Sequence, residues 1–315
     1  MDTTIVLYRV EKPYIDTECS LGEGPYFRDE DQTLRFVDII KRKIYWLDIR
    51  KGPSSLHSHQ LDISAGCTTD STMDKGSFIF GGKYGMYRFT EASDNSPHPV
   101  VTELAKYPIP DDLRQNFRAN DGGVDPAGHY WIAVMNDDSV KEPTNEAFVL
   151  RYGPDPVRPP RRFLDGLTIP NGIAWSPDGS IMYLCDSPSK NLYAFDFDVN
   201  NIDHPISNQR VLFHLEGDGV PDGHAVDVEG CIWQAIYGGG KVLRISPEGR
   251  VLTEIHLPTR CVTCPTFAGT DLYITTAEEG NPKTYPESAR FGGRVFRCHV
   301  GVEGLKLHRY NHKTS

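Results

Sequence analysis

The sequence predicts an all-β protein: a single domain, residues 1–315, folded as a six-bladed β-propeller. Short runs of branched and aromatic residues alternate with Gly, Asp and Pro turns, which is typical of regular short strands. No window of a dozen residues keeps apolar positions at helical spacing without an interrupting Gly or Pro. A polar-Gly pattern also recurs about every 50 residues, which is the size of one propeller blade.

The repeat is clearest in three segments that begin near residues 120, 170 and 221. Each has a polar residue before a glycine, a short strand, a turn ending in Gly, and a second strand with an aromatic residue. The shared glycines are Gly122, Gly172 and Gly223. Extended backwards, the period predicts blade starts near residue 72, within Thr69–Gly76, and near residue 22. Forwards it predicts a start near residue 273, and Cys264–Ile274 begins a little earlier.

Six such units, each with four strands, account for the chain, and radial closure protects the sheet edges. An additional β-like run, Thr4–Arg9, precedes the first unit. We expect this N-terminal strand to complete the last blade and so to close the ring.

Composition excludes several classes of partner. The formal net charge of -10 argues against nucleic acid, because binding to phosphates requires a basic surface. We expect no membrane partner, because no apolar run approaches the roughly 18 residues of a membrane span. The first ten residues lack the pattern of a secretory signal. These features predict a soluble, cytoplasmic protein, whose oligomeric state the sequence leaves open.

The seven cysteines are odd in number and scattered, which predicts buried thiols rather than a disulfide framework. The single Cys261-Val-Thr-Cys264 motif has no second pair at zinc-finger spacing and is a weak metal signal.

Three oxygen-bearing side chains occupy the same place in the aligned repeat: Glu23, Asn171 and Asp222, each directly before a glycine. Repetition around one axis would place all three at one end of the central channel. Carboxylate and amide oxygens suit one hard divalent cation, and Ca²⁺, Mg²⁺, Mn²⁺ and Zn²⁺ are all candidates. The alternative is that Asn-Gly and Asp-Gly are simply turn dipeptides.

The motifs resemble the gluconolactonase, senescence marker protein (regucalcin) and luciferin-regenerating family over about residues 15 to 300. The segments that carry the resemblance are Cys19–Pro25, Arg118–Gly128, Pro170–Gly179, Pro221–Gly223 and Ile245–Gly249. The resemblance implies a six-bladed propeller with one divalent metal ion at the mouth of the channel. It also implies hydrolysis of the lactones of sugar acids.

Matched motif by motif, the family's metal ligands correspond to Glu23, Asn171 and Asp222, the set that the repeat selects. The resemblance implies that Asp222 is also the catalytic general base. It implies that Arg118 and Asn120 bind the substrate. Asp121 is expected to brace the loop.

Two departures from the family pattern lie near the mouth. His224 stands where relatives often have Met, and Tyr237 is followed by three glycines rather than Asn-Gly-Gly. An acidic residue that touches substrate in some relatives corresponds to Asp137 or Asp138, within the variable lid segment 136–145. The substrate is therefore left open by the sequence.

The predicted function is a metal-dependent hydrolase that opens the ring of a lactone, most simply a sugar-acid lactone. One alternative is a non-catalytic metal-binding propeller with a calcium-handling or scaffold role. Another is hydrolysis of a phosphoester or a different ester at the same metal. There is neither a Gly-x-Ser-x-Gly nucleophile motif nor a strand-to-helix Gly-x-Gly-x-x-Gly motif to support other chemistry.

Overall fold

A computed structural model describes residues 5–72, 76–92, 98–155 and 158–311. In these residues the chain forms 24 strands, arranged as six blades around a central axis. The prediction of a six-bladed β-propeller is confirmed. None of the helices in the described ranges is long and apolar enough to cross a membrane.

The strands follow one another blade by blade along the chain, after an N-terminal strand β1 (Val6–Arg9). The first two blades contain β2 (Gly22–Arg28), β3 (Thr33–Asp38), β4 (Lys43–Asp48), β5 (His57–Gln60), β6 (Ala65–Asp70), β7 (Ser77–Gly82), β8 (Gly85–Thr90) and β9 (Val100–Lys106). Blades three and four contain β10 (Phe117–Val124), β11 (Tyr130–Asn136), β12 (Ala147–Tyr152), β13 (Arg161–Leu167), β14 (Pro170–Trp175), β15 (Ile181–Asp186), β16 (Asn191–Phe197) and β17 (Ile206–His214). Blades five and six contain β18 (Val220–Val226), β19 (Ile232–Tyr237), β20 (Lys241–Ile245), β21 (Val251–His256), β22 (Val262–Ala268), β23 (Asp271–Thr276) and β24 (Phe296–His299).

Helical structure is confined to connections between strands. In the described residues there is one α-helix, α1 (Pro286–Phe291), which lies in the long connection between β23 and β24. Three short 3-10 helices cover Pro53–Ser55, Arg114–Asn116 and Ser187–Ser189.

Consecutive strands within each blade pair antiparallel, and the first strand of every blade lies innermost. The core consists of six apolar clusters, each between two neighbouring blades. β2 packs against β6 of the second blade and against β22 of the last blade, and the second contact closes the ring. The buried faces of the strands therefore hold the blades together, because they bury most of the apolar area.

The blades are less regular than a constant period suggests. The inner strands of blades three to five begin at Phe117, Pro170 and Val220, close to the predicted starts. The predicted start near residue 72 is wrong, because the inner strand of blade two begins at Ala65, and residues 73–75 lie outside the described ranges. The last blade likewise begins early, at Val262. Loops of unequal length between the strands cause these shifts.

The N-terminal strand joins a different blade from the predicted one. β1 pairs in parallel with β21, the outer strand of blade five, and residue 4 of the predicted run lies outside the described ranges. The last blade instead has three strands and one antiparallel bridge, between Ile15 and Val295. The N-terminal segment thus reaches the last blade through Ile15. An exposed β-like run indicates a strand but not which of two neighbouring blade edges it joins.

The C-terminal segment, residues 303–311, crosses the far end of the channel. It makes backbone contacts with blade five at Asp227, blade two at Ser71 and blade three at Gly128. Its Arg309 pairs with Glu30 of blade one. We call residues 303–311 the C-terminal strap.

Candidate active site

Every inner strand is irregular where it leaves the end of the channel opposite the strap. In blades one, three, four and five, the pairing of the inner strand with its neighbour shifts register once. In blade order, the shifts lie at Glu23–Tyr26, Ala119–Gly122, Asn171–Ile173 and Pro221–His224. Such β-bulges re-aim side chains and are common next to active sites. The predicted site residues therefore lie at the bulges of different blades.

Two of the bulge glycines have backbone conformations that other residues rarely adopt. Gly24 has a φ of 51° and Gly172 a φ of 53°. A Cβ atom added at Gly172 would lie 2.1 Å from Nδ1 of His224. This explains why a glycine follows the polar residue in the repeat.

A chain of hydrogen bonds connects the predicted substrate residues to one predicted metal ligand. Arg118 Nη1 donates to Asn120 Oδ1 at 2.8 Å, and Asn120 Nδ2 donates to Asn171 Oδ1 at 2.8 Å. Asn171 Nδ2 in turn donates to Ser187 Oγ at 2.9 Å. All four side chains are buried. Their amide orientations are consequently fixed, and Asn171 Oδ1 keeps one further lone pair as an acceptor.

The acidic side chains of the site repel one another. Burial raises the pKa of the Glu23 carboxyl well above its ordinary value, and the charges of Asp222 and Asp121 raise it further. Burial likewise raises the pKa of Asp222, with a further contribution from the charge of Asp121. Arg118 opposes these shifts only in part. Three buried carboxylates near one another thus create a site where a positive charge is stabilised.

Asp121 braces two blades, as expected from the sequence. Its Oδ1 accepts a hydrogen bond from the Gly122 amide at 2.6 Å, and its Oδ2 accepts one from the Gly172 amide at 2.7 Å. Burial raises the pKa of Asp121, and these two bonds lower it. The carboxylate therefore fixes the bulge of blade four relative to that of blade three.

A buried glutamine that the sequence analysis missed holds the backbone at Asp222. Gln234 Nε2 donates to the carbonyl oxygen of Asp222 at 2.7 Å, and Gln234 Oε1 faces His224 Nδ1 at 3.2 Å. Cys185 Sγ donates to the same carbonyl at 3.1 Å. In the sequence, the one sign that Gln234 has a role is that it is a polar residue within the apolar run Ile232–Tyr237. Burial lowers the pKa of His224 to about 4, so this ring is neutral at pH 7.

The lid segment is anchored near the mouth. Asn136 Oδ1 accepts hydrogen bonds from the Thr144 amide and hydroxyl at 2.9 and 3.1 Å. Of the two candidate acids, Asp138 contacts Arg118 at 3.5 Å, whereas Asp137 pairs with Lys83. Asp138 is thus the lid acid that contacts a predicted substrate residue.

The donor set fits a hard cation. In the described ranges, no group of three or more His, Cys, Asp and Glu side chains is arranged to hold a metal ion. The predicted set differs in kind, because it combines two carboxylates with one amide, Asn171. Oxygen donors and mutual carboxylate repulsion suit a divalent cation. All seven cysteines are free and buried, and the Cys261-x-x-Cys264 pair is part of the core.

These features define a six-bladed propeller with a polar, acidic site at one end of its channel, and sequence comparison places it in a family. The SMP-30/gluconolactonase/LRE-like family profile matches residues 21–278, and the chain belongs to this family. The resemblance seen in the motifs is confirmed.

Particular relatives extend over almost the whole chain. Regucalcin of Oryctolagus cuniculus is 30% identical over 300 residues, covering 93% of this chain and 95% of the relative. The 6-deoxy-6-sulfogluconolactonase of Pseudomonas putida is 33% identical over 289 residues, covering 90% and 92%. In fold, the chain is similar to the crystal structure of a calcium-binding protein, regucalcin, from Agrobacterium tumefaciens. That similarity has a TM-score of 0.83 at 24% identity and covers 98% of this chain and 99% of the other.

Proposed function

We propose that this protein is a divalent-metal-dependent lactonase that hydrolyses a sugar-acid lactone. In this proposal Glu23, Asn171 and Asp222 hold the cation. Membership of a gluconolactonase-like family and the 33% identity to a sulfogluconolactonase support the lactone as the substrate class. A bound divalent cation would polarise the lactone carbonyl and acidify a water molecule.

The residues of the chain supply the proton transfers and the orientation. Asp222 accepts a proton from the water that attacks the carbonyl carbon. The carbon-oxygen bond of the ring then breaks, and Asp222 returns the proton to the leaving oxygen, which gives the hydroxy acid.

Arg118 and Asn120 orient the substrate. Arg118 uses Nη1 to hold Asn120, and its Nη2 is 3.5 Å from Asp138 at the lid. This long contact leaves the guanidinium able to donate to a lactone oxygen or hydroxyl group. Because Asn120 also donates a hydrogen bond to Asn171, substrate binding is linked to the position of the Asn171 amide, the proposed metal ligand.

The observation that carries the proposal is the continuous hydrogen-bonded chain from Arg118 through Asn120 to Asn171. A scaffold that only bound a cation would have no need of an arginine attached to the ligand amide. Its presence favours a site that handles an oxygen-rich substrate beside the cation.

The test is acid release from a panel of aldonolactones, neutral and sulfonated. The protein is first treated with a chelator to remove bound metal ions, and Ca²⁺, Zn²⁺, Mg²⁺ or Mn²⁺ is then added back. We expect metal-dependent turnover that Asp222→Asn abolishes, while Asp218→Asn, at an exposed position preceding the same strand, retains it. Cation binding without lactone turnover would contradict the proposal and favour a calcium-handling role. Turnover of phosphoesters but of no lactone would favour the alternative of a phosphoester hydrolase.

A further inference from the structure

The mouth of the channel has a second arginine, Arg260, on the side opposite Arg118. The inner strands pack in the order β2, β6, β10, β14, β18 and β22, and β22 returns to β2. Blades three and six therefore face each other across the channel. Arg118 is the second residue of β10 in blade three, and Arg260 comes two residues before β22 in blade six. Because the inner strands begin at the end of the channel where the proposed ligands lie, both arginines lie at the mouth.

Backbone contacts hold Arg260 beside the strand that carries the proposed base. The Gly238 amide donates to the Arg260 carbonyl at 2.8 Å. Tyr237, directly before Gly238, forms a β-bridge with Cys261 and pairs with Val220 at the start of β18. Arg260 is thus part of the rim of the proposed active site, where blade six adjoins blade five.

The guanidinium of Arg260 is held in one orientation by the connection between β23 and β24. Its central carbon lies 3.5 Å from the centroid of the Tyr285 ring, and its Nη1 lies 3.4 and 3.5 Å from the two oxygens of Glu279. Glu279 is fixed in turn, because it accepts the Ser288 hydroxyl at 2.8 Å and the Asn281 amide at 3.1 Å. The plane of the guanidinium is therefore set before any ligand binds.

One edge of this guanidinium is unused. Nε and Nη2 of Arg260 make no hydrogen bond to any residue in the part of the chain that the structure describes, and the side chain is 36% exposed. A Cβ atom added at Gly238 would lie 3.9 Å from Nη2, so the glycine leaves the space beside this edge open. Two parallel N–H groups on a planar fork match two oxygens of a phosphate, sulfonate or carboxylate.

An anionic substrate would need such a group at this mouth. The chain carries a formal net charge of -10, and the buried carboxylates Glu23, Asp121 and Asp222 add local negative charge. A fixed cation at the rim offsets this repulsion and orients the substrate. A role confined to holding the β23–β24 connection is met by Nη1 and Glu279, and it gives no use to the exposed edge.

We propose that Arg260 binds a terminal oxyanion of the substrate, so that the substrate is a sugar-acid lactone with an anionic group remote from the ring carbonyl. This inference rests on the proposed lactonase function. In that proposal Arg118 and Asn120 hold the ring from blade three, so the far side of the ring faces blade six. Arg260 is then a specificity-determining residue, and the anion is the group that it selects.

The test compares the neutral lactone of gluconic acid with lactones that carry a phosphate, a sulfonate or a carboxylate at carbon six. We expect the wild type to prefer at least one anionic lactone, and Arg260→Met to lower kcat/KM for it about tenfold, mainly through KM. Turnover of the neutral lactone should stay unchanged, which also shows that the variant is folded. Arg250→Met is the matched control, because Arg250 also pairs with a glutamate, at 3.6 Å, in the exposed turn between β20 and β21.

Gly238→Asn is a second variant that leaves Arg260 in place. It fills the space beside Nη2 at a φ of 78°, which Asn tolerates better than most residues, and it should weaken turnover of the anionic lactone selectively. A purely structural role would lower turnover of neutral and anionic lactones alike. Equal losses on both substrates, or a selective loss in neither variant, overturns the proposal.

Binding separates this proposal from the lactonase itself. If the wild type opens no lactone, the proposed function fails, and calorimetry with the ring-opened acids still decides the anion site. Gluconates with a phosphate, sulfonate or carboxylate at carbon six are compared with gluconate. We expect at least one of them to bind about tenfold more tightly than gluconate, with the difference lost in Arg260→Met and kept in Arg250→Met. Equal affinities for all four acids in the wild type overturn the anion site.

Discussion

Replacing Gln234 should destabilise the protein by removing the hydrogen bonds that hold the Asp222 bulge. Gln234 is completely buried, donates to the Asp222 carbonyl at 2.7 Å and pairs with His224 Nδ1 at 3.2 Å. Gln234→Leu keeps the side-chain size but leaves that carbonyl with only the weak Cys185 thiol and leaves Nδ1 unpaired. Each buried group left unsatisfied costs about 1–3 kcal/mol. We expect the free energy of unfolding to fall by about 2–4 kcal/mol.

Gln60 is a matched control for this substitution. Its Nε2 lies within hydrogen-bond distance of three backbone carbonyls, those of Lys41, Arg42 and Leu61, but the residue is exposed. Because water can replace these bonds, Gln60→Leu should cost less than about 1 kcal/mol.

The assay is urea unfolding of wild type and both variants, with chelator present, followed by intrinsic fluorescence. Cation affinity, measured by calorimetry, should also fall in Gln234→Leu, because Asp222 is no longer held in place. The reasoning is refuted if Gln234→Leu loses no more stability than Gln60→Leu.

Two further predictions concern the acidic site and the strap. Because the pKa of Glu23 is raised in the folded protein, the contribution of Glu23 to the stability of the metal-free protein should be greatest below the ordinary value of 4.5 and should be lost as the pH rises through the raised value. Glu23→Gln should therefore raise the melting temperature of the chelated protein at pH 7 and abolish the gain on adding cation. The exposed control Glu216→Gln should do neither, and equal behaviour of the two variants would contradict the repulsion. Tyr310→Ala should lower the free energy of unfolding by about 3–5 kcal/mol, since Tyr310 is fully buried and donates to the Gly153 carbonyl at 2.6 Å. The exposed Leu307→Ala should cost much less in the same urea titration, and comparable losses would contradict an anchoring role for Tyr310.

The polar-Gly repeat predicted where the site residues would meet because a propeller repeats one register around one axis. Glu23, Asn171 and Asp222 stand before glycines in three blades, and their bulges lie at one end of the channel. The hydrogen bond between Asn120 and Asn171 confirms that residues from different blades come together there. Their roles as metal ligands, and those of Arg118 and Asn120 in substrate binding, stay predictions.

Other features depend on tertiary contacts that no local pattern encodes. β1 could have joined either of two neighbouring blade edges; it pairs with β21, and its Tyr8 packs against the cluster between blades five and six. The strap has no alternating pattern, since it is held by backbone bonds to turns and by Tyr310. The pairing of His224 with Gln234 requires knowledge of the strand register.

The bulges bring together carboxylates that would favour cation binding but that destabilise the folded protein when no cation is bound. Folding without a cation brings Glu23, Asp121 and Asp222 together at an electrostatic cost. Burial raises the pKa of all three carboxyls, and the neighbouring carboxylate charges raise those of Glu23 and Asp222 further. The backbone amides of Gly122 and Gly172 offset part of that cost at Asp121, but Glu23 and Asp222 depend more on an added positive charge. A cation bound only by the folded protein stabilises it by mass action. A gain in melting temperature on adding cation would therefore test the proposed ligand set independently of any lactone, and its loss in Glu23→Gln would attribute that gain to this site.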